Sequence, residues 1–486
     1  MLFDLFCHLR NLCIETSPKH SRLLNGMFSR VTSVILPERG ILITTKAISA
    51  LSVPAGNVMS GSRQQPESRG YAWFVLCVLT LVYTFNFIDR QILVILQEPI
   101  KAELDLSDAQ LGLLSGFSFA LIYVVAGIPI AWLADRSNRR NIVACSLAIW
   151  SGMTAVSGLV SNFGQLVAAR LGVGLGEAGG SPPAHSLLSD YFPPDQRGSA
   201  LSFYSAGIYL GVLAGFAGGG YVAETFGWRM AFFVVGAPGI LLALALPFLI
   251  KEPLRGRLDL AHSENKPTFS QTLTAITGRR TFCLVAFGCA FTAFISYGNG
   301  NFFPSYLMRN HGMTISEVGF ALAAVSGVAG AVGTFGGGVL ADRLGKTEKR
   351  WYLWVPVLGN VLALPLMAYA ILSENTDLLL YVLFPANILN SLYLGPSIAL
   401  CHLLVSPSMR AMASAILFLV INMIGLGLGP LVVGVLSDAY EPLLGAQNLR
   451  AAMLSVLGCG FVVGNLCFLL AGKPLTRQLA IAEGDR

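Results

Sequence analysis

Residues 131–140 read AWLADRSNRR, and residues 338–346 read GVLADRLGK. The shared Leu-Ala-Asp-Arg sets Asp135 on Asp342 and Arg136 on Arg343, an offset of 342 − 135 = 207. The same offset, without gaps, sets Leu106 on Met313 and Gly112 on Gly319. Each copy follows a helix-start signal, Ser107-x-x-Gln110 and Thr314-x-x-Glu317. In such a capping box the hydroxyl accepts an unpaired first-turn N–H, and the Gln or Glu reaches back to the cap. The chain is therefore a duplication, two related halves in sequence.

Composition says what the halves are made of. Of 486 residues, 54% are hydrophobic and 12% charged, against roughly 25% charged in a soluble domain. Mean hydropathy is +0.65. Such a chain cannot cover itself with water-facing side chains, which excludes an ordinary soluble enzyme or DNA-binding protein. A membrane helix needs about 20 mostly apolar residues. Twelve such runs occur, here called spans 1–12: 72–97, 110–133, 141–161, 164–185, 199–222, 229–250, 282–307, 317–340, 352–372, 378–404, 410–436 and 450–471. They are continuous, not alternating, so they read as helices and not as barrel strands. The expected fold is an all-α integral membrane protein, twelve transmembrane helices in two pseudo-symmetric six-helix bundles.

The domain boundaries follow. Residues 1–69 form an N-terminal tail, 70–250 the first bundle, 251–280 a polar linker, 281–472 the second bundle and 473–486 a C-terminal tail. Residues 1–58 lack the sustained apolar core of a signal peptide; they read as disordered, or as preceding a true start at Met59. An even number of spans puts both termini on one side. Segments on that side carry twenty Lys/Arg and the opposite loops four, Lys101, Arg229, Arg309 and Arg450. By the positive-inside rule the termini are cytoplasmic, in a bacterial inner membrane. The net charge of +6 is thereby topology, not nucleic-acid binding. The nine cysteines form no C-x-x-C pair, so no metal, disulfide framework or other cofactor is expected.

The G-x-L-A-D-R-x-G-R/K loop resembles the signature of the major facilitator superfamily; its first copy has Ala131 and Asn138 in place of Gly. FNFIDRQIL (85–93), DRSNRRN (135–141) and RLGVGLGEA (170–178) together resemble the spinster family of lipid transporters and its bacterial relatives. That resemblance implies alternating access around a midplane site, in a monomer. It implies a cytoplasmic gate at Asp135, Arg136, Asp342 and Arg343. In the outward-facing state Asp135 would meet the N-terminus of span 11 near Ser408 to Arg410, since helix N-termini favour anions.

Ionisable residues inside a span are costly and functional by default. Span 1 has Asp89 and Arg90; span 4 has Arg170 and Glu177. Adjacent residues point about 100° apart, whereas seven residues make two turns on one face. The simplest arrangement pairs Asp89 with Arg170 and leaves Glu177 less compensated. Burial favours the neutral form of a carboxyl group, so Asp89 and Glu177 are the expected proton carriers; the resemblance implies the same for the acids of spans 1 and 4. A permanently paired structural network is the competing reading.

The second half offers neutral polar groups. Span 7 reads ISYGNGNFFPSYL, with Tyr297, Asn299, Asn301 and Pro304, and is expected to be a broken, cavity-lining helix. Asn387 and Asn390 of span 10 and Asn422 of span 11 either line the cavity or bind helices together. Gly207, Gly211, Gly215 and Gly219, four apart on span 5, permit close packing and rocking between the halves.

The expected function is proton-coupled transport of an amphipathic lipid-like or organic anion, with Arg90 or Arg170 near its charge. One rival is a proton-coupled symporter of small carboxylates or sugars. Another is a membrane-embedded lipid-modifying enzyme using His185 and Asp190. Gly345-Lys346-Thr347 ends like a phosphate-binding loop but lacks its first glycine, so no ATP-driven pump is indicated.

Overall fold

The structure, a computed structural model, describes residues 68–256, 258, 269–406 and 409–484. The expectation for residues 1–58 and the docking point at Ser408 lie outside them. All regular structure among the described residues is helical. Span 1 is Arg69–Ile95, span 3 Arg139–Ser157, span 5 Pro194–Phe226, span 6 Trp228–Leu249, span 7 Arg280–His311 and span 9 Trp351–Leu372. Span 2 is Asp108–Ala134 and span 8 Ile315–Leu344. Both begin with the expected capping box, complete in each case. Nine helical segments among the described residues are long and apolar enough to cross a membrane, and the composite Met412–Gln478 holds spans 11 and 12 together. Span 3, opening on two arginines, and span 4, which is divided, fall outside that simple test.

The helix breaks are not where span 7 suggested. Span 7 is one continuous helix of 32 residues with Pro304 inside it. Pro304 removes the N–H that would bond the Gly300 C=O, and the helix continues through it. Span 4 instead stops at Glu177 and restarts at Ser181–Tyr191, with prolines in its first turn. Span 10 does the same, Thr376–Ser391 then Leu394–Leu403. These breaks are also a repeat: Pro182 falls on Pro396 at an offset of 396 − 182 = 214. The sequence signal was Gly179-Gly180-Ser181-Pro182 and Leu394-Gly395-Pro396. Spans 2, 8 and 11 stay unbroken but widen into π-turns at Leu113–Phe117, Ala323–Ala329 and Ile421–Leu428.

The ends of the bundles also differ from expectation. The linker holds a short helix, Phe269–Thr277, and the last helix runs from Asn448 to Gly484, through Pro474. Apolar side chains such as Ile128, Leu241, Phe248 and Leu443 are more than two-thirds exposed. That surface needs lipid, not water, around it.

Packing decides how the halves meet. One core is shared by both, joining Ile92, Phe216 and Phe232 to Phe302, Tyr306 and Val433. It lies toward the face opposite the termini. Toward the terminus face each half has its own core, around Leu76, Trp150 and Tyr204 in the first and Phe282, Tyr352 and Phe468 in the second. The halves are thus joined at the opposite face and separate at the terminus face.

The glycine row of span 5 works inside one half. A Cβ on Gly207 would stand 2.8 Å from the Thr80 carbonyl oxygen, and on Gly211 2.5 Å from the Thr84 carbonyl oxygen and the Phe87 Cβ. Gly215 and Gly219 meet Gln91 and Ile92 in the same way. The row packs span 5 on span 1, within the first half. Gly211→Val is therefore expected to destabilise the first bundle by about 1–3 kcal/mol through overpacking. A lowered unfolding temperature in detergent would show it, and an unchanged one would refute the packing account.

Candidate transport site

Span 1 brings Arg90 to the wall of a cavity between the halves. Its guanidinium lies 5.0, 4.8 and 5.3 Å from the rings of Phe87, Phe119 and Tyr123. Its Nε donates to Glu177 Oε2 at 2.7 Å, and the Glu177 side chain is fully buried. Glu177 is thereby compensated by Arg90, while Asp89 stays an electrostatic neighbour of Arg170 on the same span 4. Helical geometry explains it, because Glu177 sits at the end of the first segment of span 4, facing the side of span 1 that carries Arg90. Glu177 Oε1 keeps no hydrogen-bond partner.

Asp89 lies between spans 3 and 4. It is 1% exposed, and neither carboxylate oxygen has a hydrogen-bond partner. Arg170, Glu177 and Thr154 of span 3 are its electrostatic neighbours. Arg170 is 2% exposed, reaches the cavity wall, and leaves Nε and Nη1 without partners. Thr154 was not foreseen from the sequence; a lone hydroxyl inside span 3, without a motif, gave no signal.

The second half supplies amides. Asn299 lines the cavity with both side-chain polar atoms unpartnered. Asn301 Nδ2 donates to the Tyr297 carbonyl oxygen at 2.6 Å, and Asn390 Nδ2 to Ser296 Oγ at 2.6 Å. Asn387 accepts from Ser391 at 3.2 Å. All four asparagines and Tyr297 line the cavity, so Asn390 both lines it and ties spans 7 and 10. The π-turns contribute Ser115, Ser326 and Leu426 to the same wall, which explains why those helices widen at that depth.

At the terminus face the repeated loops are anchored. Asp135 is the C-cap of span 2, and Arg255 donates to the carbonyl oxygens of Ala134, Asp135 and Ser137. Arg136 lies over the Trp132 ring at 4.1 Å. Asn138, in place of Gly, caps span 3 by accepting from the Asn141 N–H. Arg139 is 1% exposed, bonding Asp190 at 2.5 Å and Glu252 at 2.7 Å. In the second copy Asp342 accepts from the Tyr352 hydroxyl at 2.9 Å, and Arg343 ends span 8. His185 packs edge-on against Tyr204, while Asp190 serves Arg139 and the Gly256 N–H. That ion pair is structural.

At the opposite face Arg309 of span 7 bridges Glu98 and Asp108, with 2.7 Å contacts to each. Lys101 adds a bond to Asp108 at 2.6 Å. Sequence reasoning counted Lys101 and Arg309 only as topology; their nearness to acids at the span ends was the available signal.

Two helical bundles, closed together at one face around a polar cavity, have the architecture of a membrane transporter. The Major Facilitator Superfamily model matches residues 79–430 and, again, 285–484, so the chain belongs to that superfamily. It is of the spinster type. A bacterial homologue of the human lysosomal transporter spinster, solved inward-facing and unoccupied, is 33% identical with a TM-score of 0.78, covering 85% of this chain and 99% of that one. An MFS-type efflux pump of Mycolicibacterium smegmatis is 37% identical over 84% of this chain and 94% of its own. Protein spinster homolog 1 of Xenopus tropicalis is 27% identical over 81% and 80%. The protein is a transporter and not an enzyme.

Proposed function

We propose that the protein moves an amphipathic lipid-like or organic anion across the bacterial inner membrane, coupled to protons through Asp89 and Glu177. The observation that carries this reading is the Arg90–Glu177 pair at the cavity wall. Protonation of Glu177 removes its charge and frees Arg90 for the substrate anion. The three aromatic rings hold the guanidinium in place for that exchange. Arg170 and Asn299, with unpartnered donors, supply further bonds to the same anion. The cavity, of about 220 Å³, lies below the roughly 300–1,000 Å³ of pockets that enclose drug-sized ligands. It takes a headgroup-sized group, and an acyl tail lies outside it. The terminus face is the cytoplasmic one, by the excess of basic residues there, and the state described is then inward-open. The transporter works as a monomer, with protons, substrate and membrane lipids as its partners.

The test is flux into liposomes driven by an imposed pH gradient, starting the chain at Met59. Lysophospholipids, sphingoid phosphates and small carboxylates form the panel. Gradient-driven movement of a lysolipid supports the reading. Movement of small carboxylates alone gives the substrate to the symporter rival, and flux indifferent to the gradient removes proton coupling.

A further inference from the structure

Each half caps a helix of the other at the face opposite the termini. The first residues of a helix leave unpaired N–H groups. The capping boxes satisfy the third of these, on Gln110 and Glu317. The partner half supplies acceptors for the first and second N–H groups of span 2 and for the second of span 8. Asp438 of span 11 accepts from the Asp108 N–H at 3.0 Å and the Ala109 N–H at 2.9 Å. Glu224 of span 5 accepts from the Ser316 N–H at 2.8 Å.

The two contacts are copies of one another. Ala109 falls on Ser316 at the offset of 207, and Glu224 falls on Asp438 at the offset of 214 found for the broken spans. A glycine four residues earlier lets each pair of backbones close. A Cβ on Gly434 would stand 2.1 Å from the Asp108 carbonyl oxygen, and on Gly220 2.7 Å from the Ile315 carbonyl oxygen. Ser437 and Arg309 then fix the Asp108 side chain.

We propose that Asp438 and Glu224 are a pseudo-twofold pair of gating residues. Their carboxylates hold the opposite face shut while the terminus face is open, and both must leave their helix N-termini in each transport cycle. Charge at a helix N-terminus and charge-assisted hydrogen bonds both favour the closed contact. They are positioning residues, remote from the cavity, and the proposal stands whether or not protons or lipids are the cargo. Asp438, with two bonds, holds the larger share.

Hydrogen–deuterium exchange of the purified full chain tests this. Asp438→Asn, Glu224→Gln and the double variant are compared with the parent in peptides covering 105–112, 312–320, 131–140 and 338–346. The double variant is expected to exchange roughly ten-fold faster at the first two, as loss of charge-assisted bonds implies. The last two must become protected, because opening one face closes the other. Asp438→Glu, which keeps the charge, is expected to retain most of the parent pattern. Faster exchange at the opposite face with none of the reciprocal protection would mean local fraying and overturn the proposal. So would an unchanged pattern in the double variant. Glu224→Gln alone, on an exposed side chain, keeps the test available if Asp438→Asn does not fold.

Discussion

Arg90→Ala is expected to stop transport and to destabilise the protein together. Glu177 is fully buried and Arg90 is its ion-pair partner at 2.7 Å. Removing one member of a buried pair leaves an uncompensated charge, at a cost of about 3–5 kcal/mol. Three aromatic rings also lose the cation they surround. If Arg90 holds the substrate anion, flux falls by at least about 100-fold, the equivalent of some 2.8 kcal/mol of lost binding. A double variant separates the two effects. Arg90→Met with Glu177→Gln removes both charges, so stability returns toward the parent while transport stays absent. Unfolding temperature and liposome flux are the two measurements. Parent-like flux in Arg90→Ala would show that the pair is neither substrate site nor coupling device.

The repeat, the twelve spans and the fold class were legible because they rest on local signals. Capping boxes, long apolar runs and a duplicated loop need no knowledge of the neighbours. The choice of ion-pair partner was not legible. Asp89 and Arg90 are adjacent, so only the rotation of span 1 decides which of them reaches Glu177, and that rotation is fixed by packing against span 5. The Gly207 to Gly219 row fixes it: each missing Cβ makes room for the backbone or side chain of span 1. The row was legible as a packing row, but glycine spacing reveals a close approach and not which helix approaches. Span 7 failed for a related reason. Asn299, Gly300, Asn301 and Pro304 look like a break, yet the helix runs on from Arg280 to His311, and such local composition does not say whether neighbours hold a helix together. The true breaks in spans 4 and 10 carry a glycine shortly before a proline, Gly180-Ser181-Pro182 and Gly395-Pro396, with the prolines at pseudo-equivalent positions, and comparing the halves at a second offset would have found them. The caps at Asp438 and Glu224 escaped because a single acid at a span end is unremarkable alone; it becomes informative only when its copy is placed beside it.

Asp89→Asn is expected to separate coupling from transport. A buried carboxylate without a hydrogen-bond partner is costly when ionised, and both Asp89 oxygens are in that state. Asparagine keeps the shape and cannot ionise. If the network were permanent and structural, losing an acid beside Arg170 would destabilise the protein and leave any gradient dependence intact. Proton coupling makes the opposite pair of outcomes. Stability holds, because a carrier that rests protonated bears no charge for asparagine to remove, and asparagine keeps its shape. Downhill exchange of substrate continues, since the cavity and the Arg90–Glu177 pair are untouched. Uphill accumulation disappears, because the driving force of about 2.3 kcal/mol per charge per 100 mV no longer has a carrier on span 1. The measurement is accumulation against exchange in the same liposomes, with and without a pH gradient, beside an unfolding curve. Gradient-driven accumulation equal to that of the parent would assign the proton to Glu177 alone and leave Asp89 as the counter-charge that keeps Arg170 in the membrane.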